Sequence, residues 1–268
     1  MTSRSDIFRQ TLREQSRSLL WWSIGVAAIA GIYVLVYPAI SDVFADSEEL
    51  PTDFLQAFGV DGAADLATPE GFLNVELFSV TAPALLMIFA IARGIGAIAG
   101  SERSGEMELL LSNPISRRHI LSQRAAAMLL STSALGVVIW AVLASGIPLN
   151  VWPELSFWAL TQASISLILL GWAFGTLAIC ASGITGNTGL SYGVIGAFAV
   201  ATYLINGLAQ SVTVLEPFRW LTPFHYYLGN DPLVNGIEIW HSLVLVAIIV
   251  GSYLLAVRSF DRRDLNLA

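Results

Sequence analysis

The chain has 268 residues, of which 55% are apolar and 12% charged; a soluble domain carries about 25% charged residues. It contains no lysine, so all 13 of its basic residues are arginine. That absence excludes nucleotide hydrolysis through a P-loop, which needs the Lys of G-x-x-x-x-G-K-[ST], and lysine Schiff-base chemistry.

The single cysteine, Cys180, lies in an apolar run and cannot form an intrachain disulfide. No basic patch is interleaved with aromatics, so nucleic acid is not expected as a partner. Charges are absent for 29 residues between Arg124 and Glu154, and for 61 between Glu154 and Glu216. A soluble fold needs polar residues to cover such lengths. A bilayer does not, and about 20 apolar residues make one span. The expectation is an all-α membrane protein, one transmembrane domain over residues 1–268 with six spans.

In chain order, residues 1–17 read as an amphipathic helix in the headgroup layer. Arg9, Arg13 and Arg17 form one stripe, and Ile7, Phe8, Leu12 and Leu19 fall on another side. Span one covers 18–39, with Trp21, Trp22 and Tyr37 as interfacial aromatics. It is longer than a signal-peptide core and is expected to be retained. Residues 41–70 are an acidic loop without arginine, carrying a short surface helix around Phe54, Leu55 and Phe58. Span two covers 72–99. Its Glu76 and Arg93 lie roughly 25 Å apart along the helix, so each reaches a headgroup layer. Pro83 is expected to kink it. Residues 100–123 form a polar segment, and span three follows at 124–147. A short hairpin then holds Trp152, Pro153 and Glu154. The turn-rich stretch 182–189 divides the long uncharged run into spans four (156–181) and five (190–209). An outer segment fills 210–236. Span six covers 239–257, and the tail starts at Arg258.

Counted by side, 12 arginines fall with the two termini and only Arg219 falls opposite. The net charge is +5 on the first side and −12 on the other, consistent with the total of −7. Arginine bias sets orientation, so both termini are expected in the cytoplasm. The uncharged turn at 182–189 carries no arginine to report its side.

Segment 100–123 is the most informative. Met107, Leu110 and Leu111 recur at i, i+3, i+4 on one face. Glu102 and Glu106 lie on another, with Arg103 placed to pair with Glu106. Asn113-Pro114 ends this short helix, and Ser116 caps the next. A short helix held by tight turns between two spans can pass force to them. It can equally rest on lipid.

The run from Ile95 through Ser101-Glu102, Gly105-Glu106-Met107-Glu108-Leu109-Leu110-Leu111, Pro114 and Ser116-Arg117 resembles the ABC type-2 permease family, the membrane subunits of ABC exporters. The family's usual form has an acidic residue, then Gly-Thr-hydrophobic-Glu-Leu-Leu-Leu, then Pro and a Ser-Arg pair. Glu106 stands where Thr is usual. The stretches Leu221–Leu233 and Phe260-Asp261-Arg262-Arg263-Asp264-Leu265 also match the family style. The resemblance implies a coupling helix docking on a separate ATPase through Glu102, Arg103, Gly105, Glu106, Met107, Leu110, Leu111 and Pro114. It implies two ATPase subunits, a second permease chain (identical or not), and a plasma-membrane location. No cofactor is expected in this chain, since ATP and Mg would belong to the partner.

The outer segment holds Glu216, Arg219, His225 and Asp231 among Trp220, Phe224, Tyr226 and Tyr227. An alternative reading makes His225 and Asp231 the site of an intramembrane lipid-modifying enzyme. The favoured one makes the segment short interfacial helices. One His and one Asp are too few for a metal site. No ionisable residue falls at mid-bilayer, which argues against ion coupling and for an amphipathic cargo. Gly171, Gly175, Gly193 and Gly196 would let helices approach closely.

Overall fold

The computed structural model describes residues 6–45, 68–112, 114–152, 154–209, 212–229 and 231–263. The surface helix expected around Phe54–Phe58 lies outside them, as do Asn113, Pro153 and the last five residues. Among the described residues, six helices are long and apolar enough to cross a membrane.

Helix α1 spans Asp6–Ala45 without interruption. The separate amphipathic helix expected at 1–17 is therefore the first part of a longer one. Nothing breaks it: the first glycine is Gly25, and the first proline is Pro38. Forty residues at 1.5 Å make about 60 Å, twice the hydrocarbon thickness, so α1 extends well beyond the membrane core. Arg9, Arg13 and Arg17 are exposed, while Ile7 is buried against the bundle.

Helix α2 runs from Pro69 to Arg103. Thr68 caps it through its Oγ1, which accepts from Gly71 N at 3.1 Å, and Pro69 takes the first position, where no N–H is missed. Ahead of Pro83 the helix widens into a π-helix over Leu73–Thr81. Ala82 N donates five residues back, to Leu77 O. A second π stretch covers Gly96–Gly100.

Helix α3 is the short Glu106–Leu111. Helix α4 covers Arg117–Ser145, capped by Ser116. Helix α5 covers Phe157–Thr185, capped by Ser156. Gly186 ends α5 in the left-handed region (φ 62), and Asn187 caps α6, Thr188–Leu208, by accepting from Leu190 N. Two short helices follow, α7 (Glu216–Arg219) and α8 (Pro223–Leu228), then a π turn at Asp231–Asn235. Helix α9 spans Ile239–Arg262.

Helix α5 is the centre of the bundle, packing on α2, α4, α6 and α9. Within its most apolar stretch 72% of residues are buried, against 22% in α6 and α9 and 11% in α1. Close approach makes this possible: a Cβ at Gly94 of α2 would lie 2.4 Å from Gly175 O of α5. Gly171 likewise packs against Thr132, whereas Gly193 and Gly196 on α6 face open space. Buried hydroxyls bond back to their own helix, as Ser164 does to Leu160 O and Thr202 to Phe198 O, so they do not strain the apolar interior.

One end of the bundle is tied by aromatics. Tyr37 lies 4.8 Å from Trp152 and 5.3 Å from Phe72 between ring centroids. Tyr227 OH donates to Phe78 O at 2.8 Å, a carbonyl in the π stretch of α2. The other end gathers the arginines.

Candidate functional site at the arginine-rich end

Helix α2 stops at Arg103 because Gly105 adopts φ 74, a left-handed conformation that suits glycine. The chain turns there and α3 begins. This turn separates Arg103 from Glu106, so helical spacing no longer relates them. The expected Arg103–Glu106 pair is replaced: Glu106 Oε1 accepts from Arg124 Nη2 at 2.6 Å, and Arg103 is exposed.

The apolar face of α3 turns toward the spans. Met107 is 1% exposed and sits in one cluster with Ile98 of α2, Ile120 and Met128 of α4, Ile179 of α5, and Phe260 of α9. Leu110 and Leu111 are half-buried against the same cluster. Of the residues expected to dock a partner, Met107 is therefore closed to one. Glu108 and Leu109 point outward, Leu109 with 73% exposure, beside exposed Arg103, Ser104, Ser112 and Pro114.

Charged groups brace the same element. Arg124 is 5% exposed; it donates to Ala97 O at 3.0 Å, to the Ser101 hydroxyl and to Glu106. A guanidinium so buried is costly unless paired; Glu106 supplies the counter-charge, while Arg124 Nε is buried without a hydrogen-bond partner. Arg263 pairs with Glu102 and donates to Ser182 O and Gly183 O at 3.1 and 3.0 Å. Those carbonyls belong to the last turn of α5, where Ser182 O also accepts from Gly186 N and a cation suits the helix dipole. Arg117 does the same for α9, donating to Phe260 O and Arg263 O at 3.0 and 2.8 Å. Arg118 pairs with Asp261 at 2.5 Å. The corner α2–α3–α4 is thus bonded to the C-terminal ends of α5 and α9.

Sequence reasoning counted Arg124, Arg117 and Arg263 as orientation charges and missed their partners. The available signal was the presence of Glu102, Glu106 and Asp261 on the same side.

His225 and Asp231, the residues of the alternative site, form no hydrogen bond with each other. Asp231 Oδ1 accepts from Asn74 Nδ2 at 3.1 Å, and both ring nitrogens of His225 are buried without a hydrogen-bond partner. Among the described residues no group of three His, Cys, Asp or Glu could hold a metal.

Five spanning helices around a sixth, central one, with a short helix clamped between the second and third, define a multi-pass membrane protein. A family model described as ABC-2 family transporter protein matches residues 6–265, and the chain belongs to that family. It is accordingly a permease subunit of an ABC transporter, a family whose members work with ABC ATPase partners. No curated protein matches it.

Proposed function

We propose that this chain is the transmembrane subunit of an ATP-driven exporter of the plasma membrane, energised by separate ATPase subunits that dock on α3. Two such permease chains, identical or not, would form the pathway with two ATPases. Both termini, α3 and the 186–187 turn would face the cytoplasm. The cargo is an amphipathic molecule, a reading supported by spans whose buried polar groups are mostly hydroxyls bonded to their own helices.

One observation carries the coupling role: α3 shows Leu109 and Glu108 outward while its Met107 is buried in a cluster that draws on α1, α2, α4, α5 and α9. A push on the outer face would reach the spans of that cluster through Met107. Leu109, Glu108, Arg103 and Pro114 would meet the ATPase, and Glu102, Glu106, Met107, Leu110 and Leu111 would pass the motion inward, with Gly105 forming the turn.

Two substitutions separate these roles. Leu109→Asp is expected to leave the permease's thermal midpoint unchanged, yet lose co-purification of its ATPase and transport-linked ATP hydrolysis in lipid vesicles. Met107→Ala is expected to destabilise the permease by about 2–5 kcal/mol, as large-to-small core changes do. Full retention of ATPase binding and transport in Leu109→Asp would sink the docking assignment.

A further inference from the structure

The arginine-rich end contains a cavity of about 170 Å³ where α1, α2 and α4 meet. Helix α1 contributes Thr11, Glu14 and Gln15, α2 contributes Arg93 and Ser101, α3 contributes Glu106, and α4 contributes Arg124. The two guanidiniums differ in one respect. Arg124 is neutralised by Glu106. Arg93 has no carboxylate within ion-pair distance among the described residues. Its Nη2 donates to the Ser18 hydroxyl, its guanidinium carbon lies 5.0 Å from the Phe89 ring centroid, and its Nε is buried without a partner. Glu14 is exposed and already accepts from the Gln10 amide at 2.9 Å. The Gln15 side-chain amide lies 3.3 Å from Ser131 Oγ, whose proton goes to Ala127 O at 2.7 Å; its NH2 carries two donor hydrogens, so at least one remains for a ligand.

A part-buried cation without a counter-ion carries a desolvation cost that an external anion offsets. The guanidinium fork matches two oxygens of a phosphate. We propose that this cavity binds a phosphate oxyanion, with Arg93 as its ligand and Gln15 as a second donor. Two sources offer that chemistry: the headgroup of a phospholipid and free phosphate. Lipid has access, because α1, which walls the cavity, is the least buried of the six spans. Arg93 also lies near the arginine-rich end of α2, where headgroups begin. The proposal requires only that the chain spans a bilayer and stands apart from the ATPase reading. A phosphate held here would adjoin the Arg124–Glu106 pair, and so the base of α3.

The test uses the full-length permease in detergent, with native mass spectrometry reading bound phosphatidylglycerol and, in a separate lipid-free arm, bound inorganic phosphate. Arg93→Gln removes the ligand. Gly96→Leu fills the cavity without altering any charge, since Gly96 lines it and a Cβ there meets nothing within 4 Å. Both variants are expected to weaken binding at least about tenfold, the loss of one hydrogen bond to a charged group. Arg93→Lys, which keeps the charge but not the fork, should bind more weakly than the wild type and more tightly than Arg93→Gln. Loss confined to phosphatidylglycerol assigns a lipid headgroup, and loss of inorganic phosphate as well assigns a general phosphate site. Wild-type binding of both ligands in Gly96→Leu, or in a folded Arg93→Gln, overturns the proposal.

Discussion

His225 is a buried polar residue set in a wall of rings. Trp220, Tyr226 and His241 lie 4.5, 5.2 and 5.4 Å from it between centroids, and it is 6% exposed. Burial, then Arg219 and His241, push its pKa down to about 4, against a smaller upward pull from Glu238. It is therefore neutral at pH 7. An unfolded chain takes up this proton near the ordinary value of 6.5, so between about pH 6.5 and 4 the unfolded state binds more protons and acid favours it. Thermal midpoints should fall as pH drops through that window. His225→Phe, which keeps a ring in the wall, should flatten that part of the profile. Parallel profiles for both proteins would remove His225 as the cause. Gly186 was legible in the sequence as a turn residue, but its second duty was not. A Cβ there would lie 2.7 Å from Arg263 Nη1 and push that cation off the carbonyls of α5. Turn chemistry is local, whereas Arg263 arrives from the far end of the chain.

Helix α3 shows what an amphipathic pattern does and does not say. The i, i+3, i+4 spacing of Met107, Leu110 and Leu111 identified one apolar face. It carried no information on what that face meets, and the structure turns it to the spans. The Glu102–Arg263 pair is the tie between this corner and the tail, and both side chains are about four-fifths buried. A double-mutant cycle with Glu102→Gln and Arg263→Gln should give a coupling of about 0.5–3 kcal/mol in unfolding of the permease. A coupling near zero would mean that the tail does not brace α3. In α2, Pro83 led to the expectation of a kink, because a proline removes one backbone bond. The helix responds with π-helical widening over Leu73–Thr81. Carbonyls of that stretch accept from Ser79, Thr81, Tyr33 and Tyr227 hydroxyls. π-Helical turns of this kind concentrate at functional positions in helices.

At the scale of the whole molecule, α5 is enclosed while α1, α6 and α9 present apolar side chains outward, including Leu35, Val200 and Leu254. Lipid or another transmembrane chain covers such faces in a permease. The proposed orientation can be read directly by thiol labelling, because the one native cysteine, Cys180, is buried. In a Cys180→Ala background, Val214→Cys should react with a membrane-impermeant maleimide on intact cells. Asn187→Cys should react only after the membrane is opened. Both positions are exposed at opposite ends of α6. The reverse pattern would invert the assigned orientation.

The sequence by itself determined the number of spans, their approximate limits and the separation of charge between the two ends. Those properties are local: each helix satisfies its own backbone, and the bilayer demands only apolar length and an arginine bias. The tertiary structure decided which helix is central, and which acid each arginine meets. It also placed the uncharged turn at Gly186–Asn187 at the arginine-rich end, through the Arg263 bonds to Ser182 and Gly183. In lipid every face of a span is apolar, so hydropathy does not choose the inner one. Close glycine contacts and a few buried charge pairs make that choice, and they join residues far apart in the chain.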